Sequence, residues 1–130
     1  MEEERDSMCF ACGPDNPIGL HLVFHFTDDN ELQTVFIPRE EHQSFTGMLH
    51  GGLMALLLDE VMGKLLTLKN MRAFTARMET RFRKQARIGE PLTLTGRIVS
   101  DRGRMIEMGA EAKNSEGEKV AEATARFMKA

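Results

Sequence analysis

Residues 50–68 read HGGLMALLLDEVMGKLLTL, and this stretch decides how the rest of the chain must be arranged. Two glycines open a segment whose apolar residues cover most of the circumference of a helix, which predicts a central helix from Gly51 to about Leu68. The same segment carries a carboxylate, Asp59, in its middle. Burying a carboxylate costs several kcal/mol unless it is paired or hydrogen-bonded. A charge at this position therefore indicates a chemical role.

The size and composition of the chain are those of one globular domain. It has 130 residues, 42% of them hydrophobic, so we expect a single domain spanning 1–130 with residues 1–8 flexible. The net charge of -3 gives no indication of nucleic-acid binding. The first six residues are mostly acidic, unlike a secretion signal, and the longest apolar run, Leu53 to Leu58, is far shorter than a membrane span. We therefore expect a cytoplasmic protein without membrane contact.

Alternation with a period of two predicts strands on both sides of the helix. Residues 20–26 and 31–37 alternate around a turn at 28–30, which is typical of a hairpin. After the helix, turn residues separate four alternating segments, at 74–83, 92–98, 106–113 and 121–127. The predicted order is two strands, the helix and then a meander of four strands. One face of this sheet must cover the helix while the other face is polar.

Residues 45–52 read FTGMLHGG and are followed by Asp59 in the predicted helix. This segment resembles the active-site segment of acyl-CoA thioesterases of the hydroxybenzoyl-CoA and phenylacetate-degradation types. These enzymes have the hotdog fold, in which an antiparallel sheet wraps around one long helix. In those families the catalytic carboxylate follows the His of His-Gly-Gly at the spacing of His50 and Asp59. Gly89-Glu90-Pro91 is also similar to those families, and residues 9–20, with CFACG and NPIGL, resemble a bacterial subgroup. The resemblance covers roughly residues 9–128 and implies an α+β hotdog fold of five to six strands.

The resemblance assigns thioester chemistry to the start and the middle of the helix. Attack on a thioester needs a donor for the carbonyl oxygen and a base or nucleophile for the carbon. Since a helix N-terminus offers free N–H groups, the Gly51 N–H is expected to polarise the carbonyl, and Gly52 to allow close approach. Asp59 either activates a water or attacks directly. The alternatives are a tight turn at the glycines and a purely structural carboxylate at Asp59.

Four further residues are candidates around this centre. His50 is expected to shape the loop and the helix start, although a histidine can also act as a base near neutral pH. Thr75 matches a family position whose hydroxyl helps to position the attacking water, but alternation places it on the polar face of its strand. Ser44 stands where some members carry an Asn or Gln that contacts the substrate carbonyl. Gln43, next to it, could substitute.

Arginines and a lysine cluster at the end of the strand after the helix, at Arg81, Arg83, Lys84 and Arg87. Such side chains are natural partners for the phosphates of coenzyme A. The alternative is a solvated, charged strand edge that prevents unwanted strand pairing.

Two cysteines, Cys9 and Cys12, have a spacing that zinc sites use. A closed zinc site needs four ligands, and His21 and His25 could complete one only if the hairpin folds back. We therefore expect no metal and no bound cofactor, and a packing role for the cysteines. Glu60 is turned about 100° from Asp59 round the helix, so we expect it in an ion pair or an interface.

The function that these features favour is hydrolysis of an acyl-CoA to a carboxylic acid and free coenzyme A. The resemblance implies a homodimer or a dimer-of-dimers tetramer with its active site at the subunit interface, where Asp59 of one subunit works with Gly51 of the other. A hydratase of enoyl thioesters is an alternative, with only His50 and Glu60 available as its His–acid pair. A non-catalytic acyl-CoA-binding module is another, because Ser44 departs from the family pattern.

Overall fold

The computed structural model describes residues 7–130, which form six strands, one α-helix and one short 3-10 helix. The elements in chain order are β1 (Phe24–Asp28), β2 (Glu31–Phe36), the 3-10 helix (Glu40–His42), α1 (Gly51–Leu68), β3 (Ala73–Phe82), β4 (Leu92–Arg102), β5 (Met105–Lys113) and β6 (Lys119–Lys129). The predicted flexibility of residues 1–8 concerns mainly residues 1–6, which lie outside the described residues. No helix within 7–130 is long and apolar enough to cross a bilayer.

The six strands form one antiparallel sheet that packs against α1, as the sequence predicts. Their order across the sheet is β1-β2-β4-β5-β6-β3. The helix contributes seven buried side chains to the core, namely Met54, Leu57, Leu58, Val61, Met62, Leu65 and Leu66. The expectation that Asp59 is buried is only partly correct, because Asp59 lies on a helix face that is half-buried.

The predicted meander of four strands is correct for β4, β5 and β6 but wrong for β3. Strand β3 pairs with β6 at the far edge of the sheet, and β2 lies beside β4 in its place. Residues 83–91 do not form a hairpin between β3 and β4, because their backbone forms hydrogen bonds with the loop before α1 instead. The Leu49 N–H donates to Ala86 O at 2.8 Å, and the Ile88 N–H donates to Gly47 O at 2.9 Å. This connection therefore supports the loop that leads into α1.

The first strand begins later than predicted, at Phe24 instead of residue 20. The reason is a competing partner. The Leu20 N–H donates to Phe10 O at 2.8 Å and the Leu22 N–H donates to Ala11 O at 3.0 Å. Residues 20–22 are thus bonded to the cysteine segment instead of β2, and this anchors residues 9–13 to the domain.

Gly96 in β4 allows the helix to pack unusually close to the sheet. A Cβ atom at this position would lie 2.7 Å from the Val61 carbonyl oxygen and 2.9 Å from its carbonyl carbon. Real Cβ atoms essentially never approach backbone atoms so closely. Only glycine therefore fits where β4 crosses the middle of α1, two residues beyond Asp59.

Candidate active site

The N-terminus of α1 presents one backbone N–H that is free and one that is occupied. His50 is the N-cap residue, and its Nδ1 accepts a hydrogen bond from the Gly52 N–H at 2.9 Å. Since Nδ1 accepts, the neutral ring carries its proton on Nε2. Among the hydrogen bonds of residues 7–130, the Gly51 N–H donates to no protein acceptor. Gly51 is thus the donor available to a ligand, and His50 forms the helix start.

Asp59 is held by a hydroxyl from the neighbouring strand. Thr75 Oγ1 donates to Asp59 Oδ1 at 2.7 Å. The sequence prediction that Thr75 lies on the polar face is wrong, because the register of β3 against β6 shifts between Thr75 and Arg77 and leaves Ala76 without a partner. This bulge changes the phase of the strand. Thr75 consequently faces α1, while Arg77 faces outward.

Gly51 and Asp59 are too far apart in one chain to act on the same carbonyl group. Eight helical steps of about 1.5 Å place them roughly 12 Å apart along the axis. A donor on the carbonyl oxygen and a group attacking its carbon must each lie about 3 Å from the reacting atoms. One chain therefore supplies either half of such a site, but not both halves to one substrate.

A cavity of about 190 Å³ lies at the helix N-terminus. Gly51, Ser44 and Lys84 contribute to its lining, and the exposed rings of Phe45 and Phe82 flank it. Sequence reasoning did not identify these two phenylalanines. Phe45 could have been noticed because it is a large apolar residue in a loop without apolar periodicity. Phe82 could not, because it looks like an ordinary strand residue. The cavity combines an apolar wall with one cation and the free Gly51 N–H.

The two loop candidates differ in what their side chains do. The Gln43 side-chain oxygen accepts from the Gly47 N–H at 2.9 Å, so this oxygen closes the loop before α1. The Ser44 side chain is exposed at the cavity, and only its backbone is bonded, to Met48 O at 3.0 Å. Ser44 is therefore better placed than Gln43 to meet a ligand.

His42 was not singled out from the sequence, yet it supports the same loop. The buried ring accepts the Arg39 N–H at Nδ1, at 2.9 Å, and packs against Phe36 with the ring centres 5.1 Å apart. Its backbone oxygen accepts from the His50 N–H at 2.9 Å. Burial, reinforced by the charge of Arg39, lowers the pKa of His42 from its ordinary value of 6.5. A neutral His42 therefore anchors the segment that ends at Gly51.

The predicted phosphate-binding cations fall into two groups. Arg83 forms an ion pair with Glu122, and Lys84 forms one with Glu118. These contacts lower the pKa values of both carboxyl groups, chiefly through the hydrogen bonds from the two cations. Within residues 7–130, Arg81 and Arg87 make no ion pair. Arg81 and Arg87 therefore have no carboxylate partner among the described residues, whereas Lys84 is ion-paired and lines the cavity.

The His–acid pair of the hydratase alternative is not brought together. His50 and Glu60 are ten helical residues apart, about 15 Å along the axis. Glu60 also lies beside the Cys12 thiol, on a different side of the helix from Thr75. The described chain therefore offers no geometry for this pair.

A six-stranded antiparallel sheet around one long helix, with a free N–H at the helix start and a hydroxyl-bonded carboxylate in its middle, is the architecture of hotdog proteins. The chain belongs to the thioesterase superfamily, whose family model matches residues 46–121. That match includes His50, Gly51, Asp59 and Thr75. None of the curated proteins compared with the chain matches it significantly.

Solved structures share the fold over nearly the whole chain. The crystal structure of another thioesterase superfamily protein, RHA08564, is 28% identical with a TM-score of 0.88, and covers 94% of this chain and 60% of its own. This chain thus spans less than two thirds of that protein's length. The PaaI protein of the Escherichia coli phenylacetic acid degradation operon is 14% identical, with a TM-score of 0.84 over 98% of this chain and 92% of its own.

A hypothetical thioesterase from Streptococcus pneumoniae was crystallised with coenzyme A. It is 18% identical, with a TM-score of 0.82 over 99% of this chain and 94% of its own. Crystal structures also exist of two variants of the hypothetical thioesterase from this organism, one with a threonine and one with an aspartate replaced by alanine. Those two positions are 16 residues apart, which is the separation between Asp59 and Thr75.

Proposed function

We propose that this protein is an acyl-CoA thioesterase that hydrolyses a thioester to a carboxylic acid and free coenzyme A. The observation that carries the proposal is the hydrogen bond between Thr75 and Asp59, together with the free Gly51 N–H on the same helix. Membership of the thioesterase superfamily and the coenzyme A held by the Streptococcus pneumoniae protein support it.

In the proposed reaction the Gly51 N–H donates to the thioester carbonyl oxygen, on which negative charge develops during attack. The positive end of the helix dipole favours that charge. Asp59 acts on the carbonyl carbon in one of two ways. It removes a proton from an attacking water, or it attacks the carbon itself and forms an anhydride that water then opens. In both routes the carbon–sulfur bond breaks and the coenzyme A thiol takes up a proton.

Thr75 has the role of positioning the carboxylate. Its hydroxyl donates to Oδ1, which leaves the other carboxylate oxygen, Oδ2, for water or for the substrate. The half-buried setting of Asp59 keeps it accessible to a slim substrate arm. The spacing of 16 residues shared with the aspartate and threonine varied in the Streptococcus pneumoniae protein supports treating this pair as one functional unit.

The complete site is proposed to form between two subunits. The separation of about 12 Å between Gly51 and Asp59 supports this arrangement. The carbonyl donor of one subunit then needs the carboxylate of the other subunit to act on the same substrate. Strand β3 lies at an edge of the sheet and carries the exposed rings of Phe74 and Phe82. An edge strand with exposed apolar side chains favours pairing with a second copy. A dimer of such dimers is compatible with this arrangement.

The coenzyme A nucleotide is proposed to lie along the cations at the end of β3 and in the segment that follows it. Lys84 lines the cavity beside Gly51, and Arg81 and Arg87 have no carboxylate partner among residues 7–130. Arginine and lysine bind phosphate groups well. A cytoplasmic location is also proposed, because acyl-CoA is the expected substrate.

The experiment that tests this function incubates the protein with a panel of short, medium, long and aromatic acyl-CoAs. Hydrolysis is measured by the release of the coenzyme A thiol. The wild type is expected to turn over at least one of them. Asp59→Asn keeps the size of the side chain but removes the base, and it should lower kcat by roughly 10²–10⁴-fold. Absence of turnover on every substrate, or full activity of Asp59→Asn, would contradict the proposal. Tight binding of a non-hydrolysable coenzyme A thioether without turnover of the ester would instead identify a binding module.

A single-turnover reaction in ¹⁸O-water tests whether Asp59 is the nucleophile. If a water attacks the thioester, the released acid carries the label. If Asp59 attacks and water then opens the anhydride at the aspartyl carbon, the first acid formed takes its oxygen from the carboxylate and the label remains on the protein. An unlabelled first acid therefore identifies Asp59 as the nucleophile.

A further inference from the structure

The cysteine segment folds against the side of α1 that carries Glu60. The Sγ atoms of Cys9 and Cys12 and a carboxylate oxygen of Glu60 all lie within 4.8 Å of one another, and all three residues are half-buried. Two of these donors come from the segment before β1 and the third from the helix. Sequence reasoning considered histidines as further ligands and did not consider Glu60, because nothing in the linear order places it near the cysteines.

The backbone between the cysteines is built as a tight loop. The Gly13 N–H donates to Cys9 O at 2.8 Å, and the Asp15 N–H donates to Ser7 O at 2.9 Å. A Cβ atom on Gly13 would lie 2.4 Å from both Cys9 N and Ser7 O. This loop therefore requires glycine directly after Cys12, and its shape directs both thiols towards the helix.

The charges of the three donors need compensation. Two thiolates and one carboxylate would carry three negative charges, and Lys64 is the cation acting on Cys12. A divalent cation together with Lys64 would neutralise the fully deprotonated cluster.

We propose that Cys9, Cys12 and Glu60 bind a zinc ion that clips the segment before β1 to α1. Zinc takes thiolate and carboxylate ligands in four-coordinate sites, at about 2.3 Å from sulfur and about 2.0–2.2 Å from oxygen. Such distances imply donor separations of roughly 3.5–3.8 Å, so the three donors need to close by only about 1 Å. Water completes the fourth position. Each thiol that binds releases its proton to solvent, and the step requires no oxidant.

Zinc titration of the untagged, reduced full chain tests the proposal, after chelator treatment and with a chromophoric chelator as competitor. One zinc ion per chain is expected, with a thermal midpoint that rises with zinc concentration. Cobalt in its place should give a thiolate-to-metal absorption band. The Cys9→Ser/Cys12→Ser variant should lose both signals, and Glu60→Gln should weaken zinc binding at least about ten-fold. Asp15→Asn, which removes an acidic residue of the same segment outside the cluster, should bind as the wild type does.

Three results would overturn the zinc site. One is zinc binding by the reduced wild type no tighter than by the double serine variant. Another is a zinc affinity of Glu60→Gln equal to that of the wild type, which would show that α1 supplies no zinc ligand. The third is purified protein in which the two cysteines form a disulfide and no metal is present, which would identify the pair as redox-active instead.

Discussion

The hydroxyl of Thr75 meets the Asp59 carboxylate because Ala76 is an extra residue in β3 with no partner on β6. Replacing Thr75 by Val keeps the shape of the side chain and removes the donor. Hydrogen bonds to charged groups contribute about 1.5–3 kcal/mol, so kcat/KM on the best acyl-CoA should fall roughly 10- to 100-fold. Thr75→Ser retains the hydroxyl and should keep most of the activity. Activity that is retained in Thr75→Val but lost in Thr75→Ser would show that the methyl group, and not the hydroxyl, matters.

Gly51 can be tested by removing its N–H without removing the helix. Proline is well tolerated at the first position of a helix, and His50, with φ -61° and ψ 130°, already has a conformation that suits a following proline. Gly51→Pro should therefore fold, while kcat for thioester hydrolysis is expected to fall roughly 10²–10³-fold because the proposed oxyanion donor is gone.

Gly51→Ala is the matched control for that variant because it keeps the N–H. Its Cβ would lie 3.7 Å from the Phe82 ring, which is ordinary contact. It should lose far less activity than Gly51→Pro, and circular dichroism checks that both variants are folded. Similar activity in the two variants would exclude the Gly51 N–H as the donor.

At the scale of elements, α1 lies against β4 at a distance that only Gly96 permits. Gly96→Ala would place a methyl group against the Val61 carbonyl, so the helix and the sheet must separate. Overpacking of this kind costs typically about 1–3 kcal/mol, and the free energy of unfolding measured in denaturant should fall by that amount. Gly109→Ala in β5 is the control, since the atoms nearest to its Cβ would belong to the flexible Arg97 side chain, at 3.4 Å. Equal stability of the two variants would refute the close-packing argument.

The free energy of unfolding should depend on pH through His42, which lies in the loop before α1. Its pKa is lowered in the folded chain, whereas in the unfolded chain it has the ordinary value of 6.5. As the pH falls below about 6.5, the unfolded state binds the proton first, so the folded state loses stability down to the folded pKa. The free energy of unfolding should therefore fall more steeply between pH 7 and 5.5 in the wild type than in His42→Gln. His25→Gln removes an exposed histidine and should leave the slope of the wild type unchanged.

The elements that could be predicted from the sequence are those whose signals are local. The glycine pair and the apolar pattern identified both ends of α1, since capping and periodicity act within a few residues. The bulge in β3 could not be predicted, because a single extra residue leaves no compositional mark. The same holds for β3 beside β6 and for Glu60 beside Cys12, which depend on partners far along the chain. Alternation therefore assigned Thr75 to the wrong face, although the resemblance had named the residue.

At the scale of the whole molecule, the proposed division of the site between subunits makes a quantitative prediction. Asp59→Asn and Gly51→Pro should each be nearly inactive alone. In a mixed dimer of the two, one site carries both defects and the other carries neither. Random mixing makes half of the dimers mixed, so the activity should recover to about a quarter of the wild-type value. If both groups acted within one chain, every site would keep one defect and mixing would restore nothing.

The separation of about 12 Å between Gly51 and Asp59 also bears on the kinetics of a dilute solution. If each complete site requires two chains, as proposed, the number of working sites per chain is set by the monomer–dimer equilibrium. The rate per chain would then fall as the protein is diluted below the dissociation constant of the dimer, and the initial rate would approach second order in protein. A chain without its partner would then have no turnover number of its own.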